Sequence, residues 1–269
     1  MRRVLHSARA CWRAWTLGSA LLVGGVATAA EIGPVQICED ANEWPPYTYL
    51  ERQGSRAELR GFSVELARAV LDKHHIAYKI ELLPWQRCLR EVAEGQRFQM
   101  LLNAAATPER EQQYLLSLPY HQTHSHIFFL SSRFAQGFKP VGAAELQRYT
   151  LGGVRGYAYP QLSAAQRESM LRTGNYAALL RMLRLGRVDL LVEDVEPLLG
   201  MARLGLVELP GDPAVGHVPL AGSPATSYHM LFTRQRPQGA ALQALFNAEL
   251  REMQASGELA RRLARYLGS

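Results

Sequence analysis

The sequence predicts an α/β fold made of two units. Three observations carry this. Short apolar strands alternate with amphipathic helices through the first half of the chain, the same alternation restarts after residue 149, and a Gly/Pro/Ser-rich stretch precedes one last strand and two terminal helices.

The first unit opens with the strand "VQIC". The helix "GFSVELARAVLDKHH" follows, with Leu66, Ala67, Val70 and Leu71 on one face and Ser63 in a capping position. "YKIELL" alternates as a strand. "PWQRCLREVAEG" is a helix with Leu89, Val92 and Ala93 inward and Gly95 as its stop. "FQMLLNAAA" is a buried strand that runs into a helix start, where Thr107 caps, Pro108 takes the first helical position and Glu109 suits the dipole. "HSHIFFLSS" is a further strand. In the second unit "YTLGGV" is a strand, "RGYAYPQ" a turn, and "YAALLRMLRLG" a helix closed by Gly186. "VDLLVE" is a strand, "DVEPLLGMARLG" a helix with Asp194 at its start, and "LVELP" another strand. After "GDPAVGHVPLAGSPATS" come the strand "YHMLFT" and the helices "GAALQALFNAELREMQASG" and "ELARRLARYLG".

Residues 1–30 read as a secretory signal peptide: Arg2, Arg3, Arg9 and Arg13, then an apolar run ending in "LLVGGVATAA" with an A-x-A site at Ala27-Thr28-Ala29. No cysteine stands directly after that site, so a lipid anchor is not expected. The 269-residue chain carries 30 Lys+Arg against 24 Asp+Glu. Those four arginines and no acid lie in residues 1–30, so residues 31–269 carry 26 against 24, a net of +2. No Lys/Arg run forms a concentrated basic face, and no nucleic-acid partner is expected. Cys38 and Cys88 remain beyond the leader, and an oxidising compartment permits them to pair; two buried free thiols are the alternative.

Arg110 stands in the first turn of its helix, where a cation is locally the wrong sign. It therefore points to a bound anion, with free helix N–H groups adding to the same cradle. Arg110 and Asp194 each lie just past the carboxyl end of a predicted strand, where open α/β sheets bind ligands. Glu193, one residue earlier, is expected to point the other way. His121, His124 and His126 alternate along one segment, but no carboxylate or cysteine is interleaved, so no metal is expected. No G-x-S-x-G, H-E-x-x-H or cysteine motif supports catalysis.

Seven segments in this order, "EWPPYTY", "LRGFSVELARAVL", "LPWQRCLREVAEG", "TPERE…SLPY", "GGVRGYAYP", "GRVDLLVED" and "LFNAELREMQASGELARRLARYLG", resemble the family 3 periplasmic solute-binding proteins, receptors for polar amino acids. The resemblance covers nearly all of the chain past the leader. It implies a two-lobed periplasmic-binding-protein fold of type II: mixed sheets flanked by helices, lobe 1 at residues 31–131 plus 230–269 and lobe 2 at 132–229. Hinge crossovers would lie near Leu130–Arg133 and Tyr228–Thr233. It implies that Arg110 clamps a ligand carboxylate, with Thr107 and Ala105 adding donors, and that Asp194 receives the ligand ammonium. Trp44 would cover the ligand, Trp85 would line the pocket, and Gly156 and Tyr157 would form the lobe 2 turn that closes on the carboxylate. The sequence departs from the family pattern at Ala105 and Ala158, where a small hydroxyl residue is usual, and at Gln99, where an Asp is usual; it resembles a divergent member. The implied protein is a periplasmic monomer, not an enzyme and without cofactor, that binds an amino acid or related small carboxylate. Its partner is the membrane permease of an ABC transporter, or alternatively a membrane sensor; a cyclohexadienyl-dehydratase-like activity is a further alternative.

Overall fold

The structure, a computed structural model, describes residues 32–267 apart from 135 and 210–213. The expected signal peptide lies outside the described residues. In chain order the elements are β1 (Val35–Asp40), β2 (Tyr49–Gln53), β3 (Arg56–Arg60), α1 (Phe62–Lys73), β4 (Tyr78–Leu83), α2 (Trp85–Glu94), β5 (Met100–Ala105), α3 (Pro108–Gln113), β6 (Tyr114–Leu116) and β7 (His121–Thr123). There follow β8 (Ser125–Leu130), β9 (Leu151–Val154), α4 (Ala164–Ser169), β10 (Leu171–Thr173), α5 (Tyr176–Arg184), β11 (Leu190–Asp194), α6 (Val195–Arg203), β12 (Val215–Pro219), β13 (Thr226–Thr233), α7 (Pro237–Ala255) and α8 (Glu258–Leu267).

Two mixed sheets form. The first runs β4-β1-β5-β13-β6, with β7 also on β13, and the second runs β10-β9-β11-β8-β12. In each, the βαβ strands are parallel, as helical crossovers require, and the strand entering from elsewhere is antiparallel: β13 against β5, β8 against β11. The chain changes sheet between β7 and β8, at His124, and returns between Pro219 and Thr226. Both switches precede the expected crossovers. The reason is that "SHIFFL" is apolar on both faces. Phe128 and Leu130 pack in one core cluster and Ile127 and Phe129 in another, so the strand sits between β11 and β12 inside the second sheet.

Three local expectations change. Gly61, not Ser63, occupies the N-cap of α1; Ser63 is buried and its hydroxyl donates to Asn103 Oδ1 at 2.5 Å. "LVELP" forms no strand over Leu206–Leu209. The fifth strand of the second sheet is instead Val215–Pro219, inside the Gly/Pro/Ser-rich stretch. The hairpin β2–β3 was not legible, because charged residues dominate its sequence. Cys38 of β1 and Cys88 of α2 form a disulfide, packed with Trp85, Val92, Phe98 and Leu101 against the outer face of the first sheet.

Candidate functional site

The carboxyl ends of β1, β5 and β11 converge on a small cleft between the two sheets. Glu39, Asp40, Trp44, Trp85, Asn103, Ala105, Arg110, Tyr157, Tyr159, Glu193, Asp194 and Tyr228 line it. Of the expected site residues, the fold thus gathers Arg110, Asp194, Trp44, Trp85, Ala105 and Tyr157 around one cavity.

Arg110 reaches the cleft because α3 starts directly off β5. The Thr107 hydroxyl accepts from the Arg110 backbone N–H at 3.2 Å, and Pro108 fills the first turn. Arg110 is 8% exposed; its guanidinium donates to the Ala105 carbonyl at 2.8 Å and the Gly156 carbonyl at 3.1 Å, and sits 5.8 Å from the Trp85 ring centroid. Among the described residues no carboxylate lies within ion-pair distance of it. Burial therefore pulls its pKa down, because desolvation disfavours the charged form. Two of its five N–H groups are engaged, and the remainder can grip an anion.

Thr107 is not brought into the cleft wall, because its hydroxyl is committed to the helix cap. It faces an adjoining surface groove with Gly156. Gly156 contributes a carbonyl, which accepts from both Trp85 Nε1 and Arg110 Nη2 at 3.1 Å. Its φ is +86°, and a Cβ there would stand 2.8 Å from Gln86 Cγ, so glycine is required for this approach of the second unit to the first. On the opposite rim Gly200 of α6 meets Pro45; a Cβ would lie 2.7 Å from its carbonyl oxygen. The Tyr157 hydroxyl crosses the cleft to Asp40 Oδ2 at 2.8 Å.

Asp194 holds the N-cap position of α6 without making a cap bond. Its carboxylate accepts instead from Tyr228 OH, which belongs to the first sheet, and from Ser125 Oγ at 3.4 Å. Burial pushes its pKa up to about 6. Glu193 does not point away: it lines the same cavity, accepting from Tyr159 OH at 2.6 Å and Tyr176 OH at 3.1 Å. Both residues are still paired with β8, and the cavity wraps round the end of β11 so that it reaches both. Burial pushes Glu193 up to about 8.

Sequence reading missed Glu39 and Asp40. Glu39 accepts from Leu102 N, Asn103 N and Asn103 Nδ2, and Asp40 from Asn42 N; burial raises both pKa values. The acidic end of "VQICED" was the available signal. Gln99 lies off the cleft, bonding Gln36 N and Arg97 O. Trp44 packs on Tyr47 and Tyr228, and its buried Nε1–H has no partner among the described residues.

A carboxyl whose folded-state pKa is raised favours the folded chain fully below its unfolded value and loses that advantage as pH rises through the folded value. For Glu193 the window runs from 4.5 to about 8. Thermal unfolding of the unliganded chain is thus expected to shift to lower temperature between pH 5 and 8.5. Glu193→Gln, which stays neutral, should flatten that slope, each unit of pH being worth up to about 1.4 kcal/mol. A wild-type slope unchanged in the variant would refute the burial of this acid.

The profile of the bacterial extracellular solute-binding proteins, family 3, matches residues 37–269. The chain belongs to this family. Its fold is the type II periplasmic-binding-protein fold, and solved structures share it. A histidine kinase sensor domain similar to periplasmic binding proteins superposes with a TM-score of 0.70 at 21% identity, over 87% of this chain and 96% of that one. A substrate-binding protein of an ABC uptake transporter from Streptococcus pneumoniae, solved with bound histidine, gives 0.69 at 17% identity, over 88% and 93%. The ancestral amino acid-binding protein AncCDT-1, a precursor of cyclohexadienyl dehydratase, gives 0.68 at 19% identity, over 90% and 100%. No curated protein matches the chain. Among the described residues of this family 3 chain, no helix is long and apolar enough to cross a membrane.

Proposed function

We propose that this family 3 protein is exported and binds an amino acid or related small carboxylate in the cleft, delivering it to the permease of an ABC transporter. The observation that carries the reading is Arg110, a buried guanidinium with no carboxylate partner among the described residues, lining one cavity with Asp194. The carboxylate would bridge the free Arg110 donors, and the ammonium would meet Asp194 under the rings of Trp44 and Tyr228. Ligand contacts made to both sheets at once would favour the closed arrangement of the lobes that a membrane partner reads. Lobe 1 would then comprise the first sheet with its helices, and lobe 2 the second. Beside the one guanidinium, the carboxyl groups of Glu39, Asp40, Glu193 and Asp194 give the ligand's polar groups several hydrogen-bond partners. The likeness to a sensor domain supports a second reading, in which the closed form is presented to a membrane signalling protein.

A thermal-shift screen with amino acids, dicarboxylates and aromatic acids tests the binding reading, since a ligand of the native state raises the melting temperature. At least one amino acid or small carboxylate should raise it. If no compound of the three classes does so at millimolar concentration, the reading fails.

A further inference from the structure

His126 and His217 stand away from the cleft on one face of the second sheet. β8 and β12 run antiparallel with His126 opposite Pro219 and His217 opposite Phe128, so the two histidines are diagonal neighbours. Their Nδ1 atoms lie 2.9 Å apart. Phe128 backs both rings, at 6.5 and 5.3 Å between centroids. His217 is exposed and His126 half-buried, so the pair is open to solvent on one side.

Two neutral imidazoles in this arrangement share a single proton, one Nδ1 donating and the other accepting. Two Nδ1 atoms this close, on rings tilted by 48°, are also the donor set of a bidentate chelate. Two metal–nitrogen bonds of about 2.0–2.1 Å subtend about 2.8–3.0 Å when they meet at a right angle, and about 3.3–3.4 Å at the tetrahedral angle. The observed separation fits the first case. Right-angled nitrogen coordination is the preference of Cu²⁺ and Ni²⁺, which also head the affinity order for such donors. For both Nδ1 atoms to bind a metal, the ring that donates shifts its proton from Nδ1 to Nε2 through solvent, so each neutral ring keeps one N–H and offers an Nδ1 lone pair.

We propose that His126 and His217 form a bidentate site for a divalent transition-metal ion, Cu²⁺ or Ni²⁺, on the outer surface of the second sheet. The neighbouring His124 is committed to Glu196, with its Nδ1 2.6 Å from Oε1. Among the described residues no third histidine, cysteine, aspartate or glutamate completes a set. Water therefore fills the other coordination positions, and the ion is exchangeable. His121, from the same sequence segment, takes no part: it is buried between Tyr47 and Tyr228, with Nε2 3.1 Å from Asn103 Oδ1.

Calorimetric titration of the untagged full chain with CuCl₂ and with NiCl₂ tests this, beside His126→Gln and His217→Gln. Both substitutions lie at the surface of a sheet whose ladder they leave intact. Wild type should take up an equivalent of Cu²⁺ that each variant binds more weakly by at least the 10–100-fold that loss of even an outer-shell partner costs. That binding should fade as pH falls below about 6, where imidazole protonates. The Cu²⁺ spectrum should carry nitrogen splitting in wild type and lose it in the variants. Wild type that binds neither ion, or variants that bind as tightly as wild type, would overturn the proposal.

Discussion

Arg110→Ala is expected to cost about 2–5 kcal/mol of ligand binding, the range for removing one partner of a buried charge pair. The guanidinium is held ready by groups that do not neutralise it: two backbone carbonyls and the face of Trp85. Its desolvation is already incurred in the unliganded chain, so a carboxylate that arrives gains the full attraction of a low-dielectric pair. Arg110→Lys should fall between wild type and alanine, because a point charge on a flexible stem cannot reproduce the planar fork or span both carbonyls. The unliganded chain should stay folded in both variants, since no buried carboxylate is left without its counter-charge. The measurement is the affinity for whichever compound stabilises wild type in the thermal-shift screen, alongside the unliganded melting temperature. Wild-type affinity in Arg110→Ala would remove Arg110 from the site.

The parts of this molecule that local rules govern were legible in its sequence. Thr107, Pro108 and Arg110 announce both a helix start and a misplaced cation, because capping, proline at the first turn and the helix dipole act within a few residues. Gly95 and Gly186 end their helices in left-handed conformations, as expected. What failed was decided by partners distant in the chain. "SHIFFL" belongs to the second sheet because β11 and β12 cover both its edges, and nothing within six residues reveals that. Val215–Pro219, rich in turn formers, becomes a strand because β8 offers it a ladder.

The four acids of the cleft show the same division. Asp194 was legible from its place past a strand end and from the family resemblance, whereas Glu39, Asp40 and Glu193 look like ordinary strand-end carboxylates. Their burial comes from contacts 17 to 117 positions away in the chain: Asn103 for Glu39, Tyr157 for Asp40, Tyr159 and Tyr176 for Glu193. Glu39 and Glu193 are each held by groups of their own unit, and only the Tyr157–Asp40 bond crosses the cleft, so the burial of these acids is set by the tertiary fold and not by neighbours in the chain.

The second large effect concerns the disulfide. Cys38 and Cys88 are separated by 50 residues, and in the chain-entropy model closing such a loop stabilises by about 4 kcal/mol. Cys38→Ala with Cys88→Ala is accordingly expected to lower stability by about 2–5 kcal/mol, or about 4–20 °C in melting temperature for a domain of this size. Both sulfurs are fully buried in an apolar cluster, and alanine leaves no unsatisfied polar group there, so the loss reports the bond and a small cavity, not a buried hydroxyl. The bond also fixes α2 on β1, and α2 carries Trp85 into the cleft wall behind Arg110. Loosening that helix should weaken ligand binding as well, although neither cysteine lines the cavity. Urea melts with and without reductant separate the contributions. Wild type should lose stability in reductant, and the double variant should be indifferent to it. Reductant that shifts neither protein would show that the bond contributes nothing, and equal shifts in both would place the effect on some other group.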